Sequence, residues 1–196
     1  MRITGGEWAR RVIRVPGERV RPTQDKVRQA LFSSLGVRVV GCHFLDLFAG
    51  SGAVGLEALS RGAARVCWVE SDGRVLRVLR ENVKSLCGES GAGEAPTRIV
   101  RADVFRFPKG ADAGTFDIIF ADPPYDLTGE MDWLRNTLKA VEAGHILARG
   151  GVLIMEQAAR TPLAAWPAWR VVGDKTYGET RLLTLAHDND ETGMRA

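Results

Sequence analysis

Residues 43–55, His-Phe-Leu-Asp-Leu-Phe-Ala-Gly-Ser-Gly-Ala-Val-Gly, constrain the fold more than any other stretch. An apolar run the length of one buried strand meets a Gly-rich turn, and helix-forming residues follow over 54–61 until Gly62 ends them. Glycines let a backbone approach a ligand closely, and the helix N-terminus behind them favours negative charge. The chain goes on in the same alternation. Further strands are expected at 64–69, 98–100, 116–121 and 151–156, with a closing antiparallel pair at 169–173 and 180–186. Helices are expected at 24–35, at 73–86 with Val75, Leu76, Val78, Leu79, Val83 and Leu86 on one face, and at 131–141. The fold class is therefore α/β, a doubly wound sheet of seven mostly parallel strands with helices on both faces. Residues 88–97, polar and Gly-rich, read as a surface loop.

Gly50-x-Gly52-x-x-Gly55 formally matches the dinucleotide fingerprint, and Glu70 ends the next strand, where a ribose-binding acid belongs. Spacing alone does not separate a nicotinamide cofactor from S-adenosylmethionine. Three acids favour the latter. Asp46 puts a carboxylate close to the turn, suited to a cationic ammonium or sulfonium and poorly suited to a pyrophosphate. Asp103 follows the third strand, placed to meet an adenine amine, and Asp122 follows the fourth. Acids at successive strand ends line one crevice, because open α/β sheets bind ligands at the carboxyl edge.

Asp122-Pro123-Pro124-Tyr125 closes the apolar run 116–121. Proline fixes its own φ and drives the residue before it toward extended conformations, so the turn is rigid. The Asp122 carboxylate and the Pro123 carbonyl are suited to accept both hydrogens of an exocyclic NH2, and Tyr125 offers a ring to stack on. That grip orients the nitrogen lone pair toward an electrophile.

Together, Asp46-x-Phe48-x-Gly50-x-Gly52, Glu70, Asp103 and the Asp-Pro-Pro-Tyr tetrad resemble class I S-adenosylmethionine-dependent amino-methyltransferases. More closely, Met1-Arg-Ile-Thr-Gly-Gly6, Arg21-Pro22-Thr23 with Asp25-Lys26-Val27-Arg28 and Leu31-Phe32, Leu56-Glu57-Ala58-Leu59-Ser60-Arg61-Gly62-Ala63, and Tyr177-Gly178-Glu179-Thr180 resemble the RsmD family, up to about Leu185. The resemblance implies a Rossmann-like class I methyltransferase fold. It implies methyl transfer from S-adenosylmethionine to the exocyclic N2 of a guanine in small-subunit (16S) ribosomal RNA. Carried over by position, it implies cofactor contacts from Asp46, Phe48, Gly50, Gly52, Glu70, Ser71, Asp103, Val104 and Asp122, and catalytic roles for Asp122, Pro123 and Tyr125. It also implies small-subunit ribosomal RNA, within a partly or fully assembled subunit, as the partner and a monomeric protein. The same tetrad also serves DNA adenine-N6 methyltransferases, so it specifies a planar amine and not its owner. A non-catalytic nucleotide-binding module and a nicotinamide oxidoreductase are the rivals from other classes.

Charge adds to this reading. The net charge is only +3, but residues 1–28 hold eight basic side chains against three acids. A small basic β-hairpin or arm is expected over 1–23, a methyltransferase domain over 24–187 and a frayed tail over 188–196. On the family resemblance, Arg2, Arg10, Arg11, Arg14, Arg21, Thr23 and Arg28 meet RNA phosphates; a solvated arm is the plainer alternative. No run is apolar enough to span a bilayer and the N-terminus is too polar for a signal peptide, so a cytoplasmic protein is expected. Cys42, Cys67 and Cys87 have no metal-ligand spacing, and His43, His145 and His187 are isolated. No metal site is expected. Trp166 and Trp169 read as packing residues, and Asn82 and Tyr177 stand between packing and a role at the site.

Overall fold

In β1 (His43–Leu47), Phe44 and Leu45 point to opposite faces and both are fully buried, the mark of a central strand covered on each side. Burying each such side chain contributes about 1.5–3 kcal/mol. The computed structural model describes residues 1–16, 22–88, 96–124, 132–163 and 165–188, with side chains in the first helix from residue 25. After α1 (Pro22–Leu35) and β1, the chain runs through α2 (Ala53–Ser60), β2 (Arg65–Glu70), α3 (Gly73–Cys87), β3 (Thr97–Arg101) and β4 (Phe116–Ala121). It ends with α4 (Trp133–Gly144), β5 (Leu147–Ala158), β6 (Trp169–Tyr177) and β7 (Thr180–His187).

The strands form one sheet in the order β3-β2-β1-β4-β5-β7-β6. β1 to β5 are parallel, while β7 runs antiparallel to both β5 and β6. One core, containing Phe44, Leu56, Trp68, Leu79 and Phe120, lies between the sheet and α1, α2 and α3. The other, containing Leu45, Ile119, Leu138 and Leu153, lies under α4 and the 3-10 turn Phe107–Gly110. Helices therefore cover both faces, as the alternation requires. Among the described residues, no helix is long and apolar enough to cross a membrane.

Two strands run four or more residues longer than expected. β5 starts at Leu147 rather than 151, because Gly150-Gly151 forms no turn but sits in an irregularity where pairing with β4 shifts register between Phe116 and Ile118. β6 runs past Gly173 to Tyr177 and turns back through the two-residue loop Gly178-Glu179. Gly178 has φ +61°, which suits a tight hairpin.

The N-terminal arm does pair with itself: Arg2 bridges Val12, the Ile3 amide donates to the Arg11 carbonyl at 2.9 Å, and the Arg10 amide to that of Ile3 at 2.9 Å. Its Ile3 and Ile13 enter the same core as α1 and α2. Close approach holds it there. The Glu7 amide donates to the Ser60 carbonyl at 2.7 Å, and a Cβ placed on Gly6, whose φ is +79°, would lie 1.9 Å from that oxygen. Only a hydrogen fits between arm and α2. The expected loop over 88–97 and the tail beyond residue 188 lie mostly outside the described residues.

Candidate active site

The strand order reverses between β1 and β4, and at such a switch point the crevice opens at the carboxyl ends of the strands. Phe48, just past β1, adopts φ +58°, a left-handed conformation that costs a non-glycine residue on the order of 1–3 kcal/mol and persists where surroundings enforce it. The Gly-rich turn follows. Glu70, at the end of β2, holds that turn by accepting from the Gly50 amide at 3.0 Å through one oxygen and from the Asp72 amide at 2.9 Å through the other. Gly55 serves packing rather than a ligand: a Cβ there would lie 2.2 Å from the Trp68 indole nitrogen. That close helix-to-strand contact is the role of the third glycine in such fingerprints.

Asp46 is buried at 2% exposure and accepts from the Gly55 amide at 2.9 Å, so its carboxylate sits at the N-terminus of α2, where negative charge is favoured. Burial lifts this carboxyl well above its ordinary range. The Gly55 hydrogen bond partly offsets that, while the charges of Asp122 and Glu70 add to it. Asp122 follows β4 directly. Since Ala121 pairs with Met155, Asp122 comes beside Glu156 of β5. Burial pushes the Asp122 carboxyl up to about 6, and burial with the neighbouring Asp122 charge pushes Glu156 up to about 8.

All three acids line one cavity of about 230 Å³. Phe48, Gly50 and Ser51 of the turn, Phe120 of β4, Val27, Arg28 and Leu31 of α1 and Met1, Val15 and Pro16 of the arm line it with them. Pro123 is buried next to Asp122. Tyr125, the remaining member of the tetrad, and Arg21 lie outside the described residues; Thr23 belongs to α1, with its side chain not described.

The structure corrects the expectation for Arg28. Its side chain is 3% exposed and cannot meet an RNA phosphate. Its Nε donates to Glu57 Oε2 at 2.7 Å and its Nη2 to Asp25 Oδ1 at 3.0 Å and to the Arg2 carbonyl. Glu57 is wholly buried on α2 and needs that partner. Arg61 donates to the same carboxylate at 2.8 Å, the Thr4 amide donates to it at 3.1 Å, and the Thr4 hydroxyl donates to it as well. Burial alone would raise Glu57, but the hydrogen bonds from Thr4, Arg28 and Arg61 outweigh it and hold the carboxyl below its ordinary value. Arg2, Arg10, Arg11 and Arg14 do face solvent, Arg14 pairing with Glu81 of α3 at 2.8 Å. Asn82, uncertain from sequence, is buried. It accepts from the Arg14 amide at 2.8 Å and donates to the carbonyls of Arg14 at 2.8 Å and Ser51 at 2.9 Å.

Of the other expected cofactor residues, Ser71 and Asp103 are exposed, Asp103 accepting from the Phe105 amide at 2.8 Å, and Val104 is buried. Beside them stands an aromatic cluster that sequence reasoning did not assemble. Trp133 at the start of α4 stacks on Phe105 at 5.9 Å and meets the Phe48 ring edge-on at 5.5 Å. Trp133 had no periodic signal to mark it, since its contacts come from two loops. Glu156 was missed too, although it ends the apolar run 152–155 just as Asp122 ends its own. Burial raises the thiols of Cys42, Cys67 and Cys87 to about 11, so they stay protonated and unreactive at neutral pH.

An acid-rich crevice beside a Gly turn pinned by Glu70 fits the cationic S-adenosylmethionine and disfavours a pyrophosphate. Comparison with known proteins agrees with this chemistry. The family model described as conserved hypothetical protein 95 matches residues 1–186. The Escherichia coli (strain K12) ribosomal RNA small subunit methyltransferase D is 37% identical over 182 residues, covering 91% of this chain and 86% of that one. The Haemophilus influenzae protein of the same name is 30% identical over 179 residues, covering 91% and 89%. A solved structure from Escherichia coli, the methyltransferase candidate yhhF, superposes with a TM-score of 0.78 at 32% identity, covering 95% and 97%. With its fold, its crevice and nearly its whole length shared with these proteins, the chain belongs to the RsmD family of class I methyltransferases.

Proposed function

We propose that the protein transfers a methyl group from S-adenosylmethionine to the exocyclic N2 of a guanine in small-subunit ribosomal RNA. The observation that carries this reading is the Asp122 carboxyl, on a proline-stiffened turn and inside the cavity that the Gly turn also lines. The names of the Escherichia coli and Haemophilus relatives supply the substrate class. Asp46 and Glu70 would hold the cofactor's cationic and ribose ends, and Phe48, Asp103 and Val104 would border its adenine. When bound, S-adenosylmethionine supplies an electrophilic methyl group.

The chain's own residues then deal with a poor nucleophile, because the N2 lone pair is delocalised into the guanine ring. Asp122 accepts one N2 hydrogen and the Pro123 carbonyl the other, which favours a tetrahedral nitrogen and aligns its lone pair. Tyr125 stacks on the base. A paired base cannot reach this cavity, so the guanine enters unpaired or extruded. Arg2, Arg10, Arg11 and Arg14 take phosphates, and exposed Arg77 and Arg80 of α3 extend that basic face beyond the Arg14–Glu81 contact. The substrate is a partly or fully assembled small subunit, met by a monomer in the cytoplasm.

Methyl transfer from radiolabelled S-adenosylmethionine to undermethylated small subunits, naked ribosomal RNA and duplex DNA, followed by nucleoside analysis, tests the reading. Labelled N2-methylguanosine from subunits or RNA is the expected product. N6-methyladenine in DNA, or cofactor binding without transfer, overturns it.

A further inference from the structure

Glu156 is the third acid of the cavity, and packing alone gives no reason for it. Ile154, two residues earlier on β5, lies in the core beneath the cavity, as does Phe120, two residues before Asp122 on β4. Side chains alternate along a strand, so the Glu156 and Asp122 carboxyls rise from the same face. Their strands are adjacent and parallel, with backbones about 4.8 Å apart. The cross-strand partner of Glu156 on β7 is Leu182, itself in the core, so an apolar side chain would suit the position.

Instead a second half-buried carboxyl stands beside the first, at a cost. Among the described residues no basic side chain pairs with either acid. Arg28, the basic residue of this cavity, already serves Glu57 and Asp25. At neutral pH a proton on Glu156 relieves the two neighbouring acids, and once it leaves, compensation comes with a ligand that brings hydrogen-bond donors.

A guanine does so. Its Watson–Crick edge carries three hydrogens in a row, one on N1 and two on N2, whereas adenine presents a lone pair at N1. A carboxylate is acceptor-only. We propose that Glu156 is a specificity-determining residue of the site: its carboxylate accepts the N1 hydrogen of the target guanine while Asp122 accepts a hydrogen from the adjacent N2. The assignment rests on the guanine-N2 reading above and gives the site a reason to refuse other planar amines. Once Glu156 has ionised, above about pH 8, an adenine or any base with a lone pair at N1 meets an anion there and is repelled.

The test replaces the target guanine by 2-aminopurine, which keeps the methyl-accepting amine but has a lone pair at N1. Substrate RNA or subunits carrying either base at the methylated position are compared by kcat/KM above pH 8, where Glu156 is ionised. The wild type should prefer guanine by about 10²-fold or more, since a site built to accept a hydrogen rejects an analogue lacking it. Glu156→Gln offers an amide that can donate to the N1 lone pair, so the preference should collapse to about tenfold or less, with unchanged S-adenosylmethionine affinity. An unchanged preference in Glu156→Gln, or a wild type that takes both bases equally, overturns the proposal. A wild type that makes no N2-methylguanosine at all overturns the parent reading instead. Should Glu156→Gln fail to bind cofactor, Glu156→Asp answers the same question: the shorter acid should lose guanine turnover but not 2-aminopurine turnover, and an unchanged ratio overturns the assignment.

Discussion

Asp122 is asked to accept a hydrogen bond, and only its ionised form does that without reserve. With the carboxyl pushed up to about 6, methyl transfer should be lost as pH falls through that value, approaching tenfold per unit below it. The direction follows from the shift: a raised acid keeps its proton to higher pH, so the active anion is present above about 6 and absent below. A kcat/KM profile of Glu156→Gln between pH 5 and 8 reads this free of the Glu156 titration, and a flat profile there would deny Asp122 the role. Asp122→Ala should lower turnover by 10³-fold or more while leaving S-adenosylmethionine affinity within a few fold, measured by calorimetry and single-turnover transfer. At this scale the sequence was informative wherever a residue's position in a pattern decided its place. Asp46, Glu70 and Asp122 each end or nearly end an apolar run; Asp46 and Asp122 line the crevice, and Glu70 holds its Gly turn. Arg28 was misplaced because a count of basic residues along the chain carries no direction. Its guanidinium turns inward to a glutamate 29 positions away, which no local pattern reveals.

Among elements, the attachment of the N-terminal arm to α2 depends on Glu57. Removing one member of a buried ion pair strands the other, at about 3–5 kcal/mol. Glu57→Ala should therefore destabilise the protein by about that amount in urea unfolding, with Arg28→Ala close behind it. Arg10 and Arg11, exposed on the same arm, should behave oppositely. Changing both to alanine should leave the unfolding midpoint nearly unchanged yet reduce the slope of log binding constant against log salt by about 1.5, as loss of two phosphate contacts requires. An unaltered salt slope would remove them from the RNA face. The existence and type of these elements were readable because each has its own period. Their ends were less so: β5 passes through Gly150-Gly151, where a glycine pair that looks like a turn is absorbed by a shift in pairing with β4.

For the whole molecule, the strand order decides where chemistry occurs, and it does so by bringing together residues far apart in sequence. Asp46, Asp122 and Glu156 come from three neighbouring strands, and the arm reaches the same cavity from the far end of the chain. Asn82 links these regions: its one side chain holds the Arg14 backbone by two hydrogen bonds and the Ser51 carbonyl of the Gly turn by a third. Two ligand surfaces joined through a single amide exchange free energy, and the exchange is reciprocal. Whatever affinity the RNA gains when cofactor stiffens the turn, cofactor gains equally when RNA stiffens the arm. Asn82→Ala should erase most of this mutual gain, measured as the ratio of cofactor dissociation constants with and without RNA, moving it toward one. A wild-type ratio already at one would deny the link. On the proposed function, the amide at position 82 would let substrate and cofactor cooperate without touching either, and a loaded enzyme would be the form that holds its target longest.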